Sequence, residues 1–250
     1  MFRKREQPYR GIDREEGANE SPGDGRKRTP CDAVVHLGAI PTANSHPDEV
    51  VFGNNTRATF AVLQAAALLG IRRAVLASSL AALGGAYATT PFPPLYAPVD
   101  EHHPLQVEDP YGLSKEVDER IGSMFHRRTG MTVLAYRFHW IAQPGEYAER
   151  AIEVRDRPDR WAHDLWGYVD VRDAAYACRL GMEAEGLGHE VFNITAADSL
   201  SEVPTEELMR RYCPDVQLRG RIEGTNSAWS TEKVRRLLGY TPRHSWRDEK

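Results

Sequence analysis

Tyr111 and Lys115 stand four residues apart in the run YGLSK. On a helix, positions i and i+4 share a face, so a phenol and an ammonium would point into the same space. A free tyrosine ionises at about pH 10; a fixed cation nearby favours the phenolate, draws that value toward neutrality, and turns the side chain into a usable acid and base. Lys115 stands out for its scarcity too: lysine occupies only positions 4, 27, 115, 233 and 250, against 32 basic side chains in all. Ser78 and Ser79 close the apolar run AVLASS, which puts Ser79 at the carboxyl end of a strand, where open parallel sheets gather their ligands. Two serines after a strand are also ordinary turn chemistry. The order strand, serine pair, loop, YxxxK helix is what joins Ser79, Tyr111 and Lys115 into one candidate catalytic set.

The elements that must hold these residues follow from periodicity. Ala33–Ala39 (AVVHLGA) is a short apolar run suited to a strand buried on both faces. Asp48–Leu69 carries apolar residues at helical spacing and stops at Gly70, a normal residue just past a helix end. RAVLAS at Arg73–Ser78 reads as a strand, residues 84–110 as a long loop rich in Pro and Gly, Tyr111–Thr129 as a helix closed by Gly130, and Thr132–Phe138 as a strand. A helix over Val171–Glu185, a strand at Glu190–Ile194, and helices near Glu202–Tyr212 and Ser230–Leu238 complete the reading. Strands alternating with helices argue for a parallel, doubly wound α/β sheet.

In order along the chain stand HLGA at His36–Ala39, Asn55-Thr-Arg-Ala-Thr59 with LQAA after it, ASSLAALG at Ala77–Gly84, YGLSK, the strand LAYRF with Arg137, GYVDVRD at Gly167–Asp173, VFNIT at Val191–Thr195 and LLGYTPRHSW at Leu237–Trp246. Together they resemble the NAD-dependent epimerase/dehydratase family, the extended short-chain dehydrogenases that act on nucleotide sugars and related substrates. Ala58 stands where that pattern usually has Gly, and Leu83 where it usually has Tyr. The resemblance implies a Rossmann-like fold, an NAD or NADP cofactor, and hydride transfer on a sugar-like secondary alcohol with Tyr111 moving the proton. It implies that Lys115 binds the nicotinamide ribose and that Ser79 hydrogen-bonds the reacting hydroxyl or carbonyl. Leu37, Gly38, Ala39, Asn55 and Ser78 would line the cofactor, with His139 near its nicotinamide end. Arg219 and Arg221 precede the STEKVRRLLGY helix, where family members often place a substrate-binding arginine. The 48–69 and 111–129 helices resemble the pair that forms the family's dimer interface.

A fold of this kind opens with a strand, a glycine-rich turn and a helix whose N-terminus holds the pyrophosphate. No GxGxxG or GxxGxxG follows a strand in this sequence, and the 32 residues before Ala33 are charged and rich in breakers. The expected architecture is therefore an N-terminally truncated Rossmann-like sheet: residues 1–30 disordered or unrelated, 31–140 an incomplete dinucleotide domain, and 141–250 mainly a small α/β substrate lobe, with Gly167–Ile194 returning to the sheet. Residues 1–30 hold 14 charged side chains and cannot bury enough surface to offset their ordering entropy.

Composition narrows the partners. The chain has 250 residues with a net charge of −4, which disfavours nucleic acid or an anionic membrane as its main partner. Three separated cysteines without a CxxC pair, no secretory signal and no run of 18 apolar residues lead to the expectation of a cytoplasmic protein. His102-His103 before Pro104 lacks the companion ligands of a metal site and reads as loop. Trp140, Trp161 and Trp166 fit a substrate pocket or a core equally well. Two functions remain: an NAD(P)-dependent epimerase, dehydratase or dehydrogenase of a nucleotide sugar or related polyol, or a catalytically inactive relative or gene fragment acting as a binding or dimerisation module.

Overall fold

Four parallel strands in the order β1-β2-β4-β7 form the main sheet: β1 (Ala33–His36), β2 (Arg73–Ser79), β4 (Thr132–Phe138) and β7 (His189–Ile194). The computed structural model describes residues 31–249; the segment 1–30, expected to be disordered or unrelated, lies outside the described residues. In β2 and β4, Ala74, Leu76, Val133 and Ala135 pack with Leu63 and Phe125 on one side of the sheet. The intervening Val75, Leu134 and Tyr136 pack with Ala174, Ala177 and Val234 on the other. Period-2 alternation with both faces apolar is the pattern of a sheet covered by helices front and back.

On the first face lie α1 (Asp48–Leu68) and α2 (Pro110–Thr129); on the second lie α4 (Val171–Glu183) and α6 (Glu232–Leu238). The start of α2 is fixed by Asp109, whose carboxylate accepts the Gly112 N–H at 2.7 Å, with Pro110 in the first turn. That cap moves the helix start one residue ahead of the Tyr111 expected from periodicity. The far end closes at Gly130, φ +72°, whose N–H reaches the His126 carbonyl. α2 lies close to the sheet at Gly122, where an added Cβ would come within 3.0 Å of Val133.

The register sets the site. His36 pairs with Leu76, Ser79 with Phe138, and Phe138 with Ile194, so these strand ends share one edge of the sheet. β1 ends at His36 rather than at Ala39, and residues 37–39 leave the sheet as loop. The 84–110 loop contains β3 (Tyr96–Ala97), parallel to β8 (Gln217–Leu218). β5 (Ile141–Ala142) pairs with β6 (Val169–Asp170). Helix α3 (Tyr147–Asp156) and these four short strands are additions to the sequence reading, and α5 spans Thr205–Tyr212. Around them a second apolar cluster, including Leu80, Trp166, Tyr168, Trp229 and Trp246, closes over the strand ends. Among the described residues no helix is long and apolar enough to cross a membrane.

Candidate active site

Ser79 ends β2 and caps a short 3-10 turn over Leu80–Leu83, its hydroxyl accepting the Ala81 N–H at 3.1 Å. The same turn meets the first turn of α2: a Cβ on Gly112 would lie 2.7 Å from the Ala81 carbonyl oxygen. Only glycine allows the helix carrying Tyr111 to press this closely on the strand end carrying Ser79. The Ser79 hydroxyl faces the Tyr111 phenol closely enough to favour its ionised form. One helical turn on, the Lys115 Nζ donates to the Ala77 carbonyl at 2.7 Å and lies 5.7 Å from the centre of the Tyr111 ring. Sequence spacing placed these two side chains on one face, and the structure brings both against the end of β2.

The electrostatics differ from the expectation for an isolated Tyr–Lys pair. Burial pushes the Tyr111 phenol up to about 12, although the nearby Ser79 hydroxyl pulls the other way. Burial also lowers Lys115. Its ammonium is shared, with Asp118 Oδ2 3.6 Å away, and burial pushes that carboxyl up to about 6. Desolvation penalises every charged form here, and the cation meant to draw Tyr111 down is partly neutralised by a carboxylate on its own helix. His36, at the end of β1, is lowered by burial and then by the Lys115 charge. His139 is lowered to about 4 by burial; its ring contacts the Asp164 carbonyl at 3.1 Å and accepts the Trp140 N–H, so it is neutral at pH 7.

A cavity of about 620 Å³ opens at this edge. Leu37, Ala39, Ser78, Ser79, Tyr111, Lys115, His139 and Trp140 line it. Gly38, Asn55, Arg219 and Arg221 are not among its lining residues. Asn55 is fully buried and works as a clamp: its Oδ1 accepts the Ile40 N–H at 2.8 Å, and its Nδ2 donates to the Ile40 carbonyl and to Ser114. It thereby fixes the loop that follows β1. The Ser78 hydroxyl is taken by Glu119 at 2.7 Å. Arg219 lies over the Tyr96 ring, 3.4 Å from its centre, and donates to Gln217; Arg221 is exposed. Of the tryptophans, Trp140 and Trp161 line the cavity, whereas Trp166 is core, its indole N–H held by the Pro158 carbonyl. His103 is engaged by the Leu95 N–H and the Pro104 carbonyl.

Sequence reading passed over Arg150, His163, Asp164 and Trp229, which also line this space. The Arg150 guanidinium sits between two indoles, 4.3 Å from the centre of Trp140 and 4.0 Å from that of Trp161. With 32 basic side chains in the sequence, no local signal marks this one.

The cavity has apolar walls that would fit a flat ring such as a nicotinamide, with the polar groups of Ser79, Tyr111 and Lys115 among its lining. The described residues offer the pyrophosphate no comparable grip. The helix that follows β1, α1, carries Asp48 and Glu49 in its first turn, which would repel a phosphate.

The model of the NAD dependent epimerase/dehydratase family matches residues 26–195. The chain belongs to that family. Over 106 residues it is 31% identical to a uronate dehydrogenase of Pseudomonas putida, a match spanning 42% of this chain and 36% of that relative. In fold it is similar to a short-chain dehydrogenase/reductase superfamily protein from Agrobacterium tumefaciens with bound NAD, at a TM-score of 0.63 and 20% identity, covering 87% of this chain and 76% of the other. It is also similar to a UDP-glucuronic acid 4-epimerase from Bacillus cereus in complex with NAD, at a TM-score of 0.60 and 18% identity, covering 87% and 71%. The epimerase/dehydratase assignment accounts for the parallel sheet and for the position of the YxxxK helix beside it.

Proposed function

We propose that this chain is an NAD-dependent oxidoreductase or epimerase acting on a sugar-type substrate, with Tyr111 as acid and base, Lys115 as the cation beside the nicotinamide ribose, and Ser79 as the hydroxyl that orients the reacting oxygen. The observation that carries the reading is the convergence of these three side chains on the same cavity, with the Lys115 Nζ 5.7 Å from the centre of the Tyr111 ring. A bound nicotinamide dinucleotide would supply the hydride acceptor. Tyr111 would take the hydroxyl proton of the substrate, and Ser79 would donate to the oxygen as charge develops on it. Epimerase, dehydratase and dehydrogenase chemistry all begin with this step. Residues 31–140 would serve the cofactor and 141–250 mainly the substrate.

Arg150 refines the substrate class. The Arg150 guanidinium, stacked on two indoles at the cavity wall with its Nε 3.3 Å from the Glu153 carboxylate, would suit an anionic partner at its remaining donors, and a uronate dehydrogenase stands among the relatives. We therefore assign the substrate a carboxylate or a comparable anion. Turnover with a hexuronate should exceed that with the matching neutral aldose, and Arg150→Leu should cut the preference by about ten- to a hundredfold, the worth of a charge-assisted hydrogen bond. Equal rates on acid and neutral sugar would remove this assignment.

A second reading, a non-catalytic relative that binds or dimerises, is favoured by one observation: α1, the helix that follows β1, opens with an acidic first turn rather than one that would hold a phosphate. It predicts no turnover and no dinucleotide binding by the folded chain. Under either reading a homodimer through the 48–69 and 111–129 helices is supported by exposed Val50, Phe60 and Leu113 on those helices. Sedimentation velocity should give the mass of two chains.

A further inference from the structure

Asp118 is a buried carboxyl for which the chemistry above has no use. It lies on α2 three residues beyond Lys115, is 2% exposed, and holds Oδ2 3.6 Å from the Lys115 Nζ. Its other oxygen, Oδ1, is buried and has no hydrogen-bond partner among the described residues. A carboxylate that served only to fasten the helix would be saturated, as the adjacent Glu119 is. The groups around it are few: Lys115 and Glu119 from α2, and the Thr59 hydroxyl from α1. His36 from β1 faces Lys115 from the other side.

At 3.6 Å the Asp118–Lys115 contact is longer than a hydrogen bond, so it acts chiefly as charge on charge, while the Ala77 carbonyl at 2.7 Å anchors the ammonium. We propose that Asp118 is a positioning residue for Lys115, holding the ammonium between the end of β2 and the next turn of α2 and strengthening its hold on its proton. While Asp118 is charged, part of the field that Lys115 exerts on Tyr111 is cancelled, and the carboxylate itself makes the phenol harder to ionise. When Asp118 takes a proton, the ammonium acts on Tyr111 undiminished. Burial moves this carboxyl up to about 6, so the change falls in the weakly acidic range. The inference rests on Lys115 serving Tyr111 as proposed above; its test reads Lys115 without cofactor, substrate or turnover, and so stands or fails separately.

The chain has five lysines, so protein labelled with 13C,15N-lysine gives a small set of side-chain signals, with Lys115 assigned by its loss in Lys115→Arg. In the unaltered protein, the Lys115 13Cε resonance is expected to pass through a second inflection as Asp118 titrates. In Asp118→Asn the Lys115 midpoint should fall by about one pH unit or more, and Asp118→Glu should restore it. An unchanged Lys115 midpoint in folded Asp118→Asn overturns the proposal. So does a Lys115 signal in the unaltered protein with no inflection in the weakly acidic range, a result that needs no variant to fold.

Discussion

Asp118 and Glu119 are neighbours on α2, and their carboxylates enter two differently built regions. Glu119 meets the Arg137 Nε and a terminal guanidinium nitrogen, each at 2.8 Å, and accepts the Ser78 hydroxyl at 2.7 Å. Asp118 meets Lys115 only at 3.6 Å and, among the described residues, leaves one oxygen without a partner. The first region ties α2 to β2 and β4 by a planar, two-pronged pair that fixes both groups. The second holds a point charge at longer range, where a small rearrangement or a proton can change the field. A single helix thus offers one carboxylate to stability and the next to the electrostatics of the cavity.

The contrast breaks most easily at Tyr111. Tyr111→Phe should lower turnover by about 10²- to 10⁴-fold, the usual worth of a general acid–base, while dinucleotide binding and the melting curve stay close to those of the unaltered protein. Retained turnover would remove the mechanism and leave α2 a purely structural helix.

On the saturated side, Glu119→Gln should cost about 3–5 kcal/mol in a denaturant titration, because Arg137 is left buried and uncompensated. A loss under about 1 kcal/mol would mean that the pair contributes little beyond a surface ion pair. For Asp118 the sign is opposite. Its carboxyl is raised to about 6 in the folded chain, so folding favours the protonated form, and stability contributed below the unfolded value near pH 4 is lost as pH rises through 6. Stability of the unaltered protein should fall between pH 4 and 7 by up to about 3 kcal/mol more than that of Asp118→Asn. Parallel curves would mean that folding does not raise the Asp118 carboxyl. The smallest effect is expected at Ser78→Ala, which removes one hydrogen bond to a charged group and should cost about 1.5 kcal/mol by thermal melting.

Local pattern carried the sheet, α2 and the Tyr111–Lys115 face, because these depend on periods of two and of 3.6 and on a spacing of four. The cap at Asp109 was equally local, an Asp-Pro at a helix start, and marks a boundary that hydrophobic periodicity alone misses by one residue. Arg150 was not legible: its clamp joins Trp140, Arg150 and Trp161, contacts that exist only once α3 packs on the loops beside it. Asn55 shows the reverse case. Its position was visible, but its amide is spent on Ile40 and Ser114, which no spacing could show. The direction of the Tyr111 shift was also beyond local reading. Spacing supplies the attraction to Lys115, whereas the opposing penalty comes from burial under residues distant in sequence, and here burial is the larger.

Isothermal titration of the 250-residue chain with NAD+ and NADP+, unaltered and as Lys115→Ala, bears most directly on whether this cavity receives the nicotinamide end of a dinucleotide beside Tyr111. The account predicts saturable binding of NAD+ by the unaltered chain, weakened about tenfold or more when the Lys115 ammonium is removed. A folded chain that binds neither dinucleotide, or binds them equally well without Lys115, would contradict it.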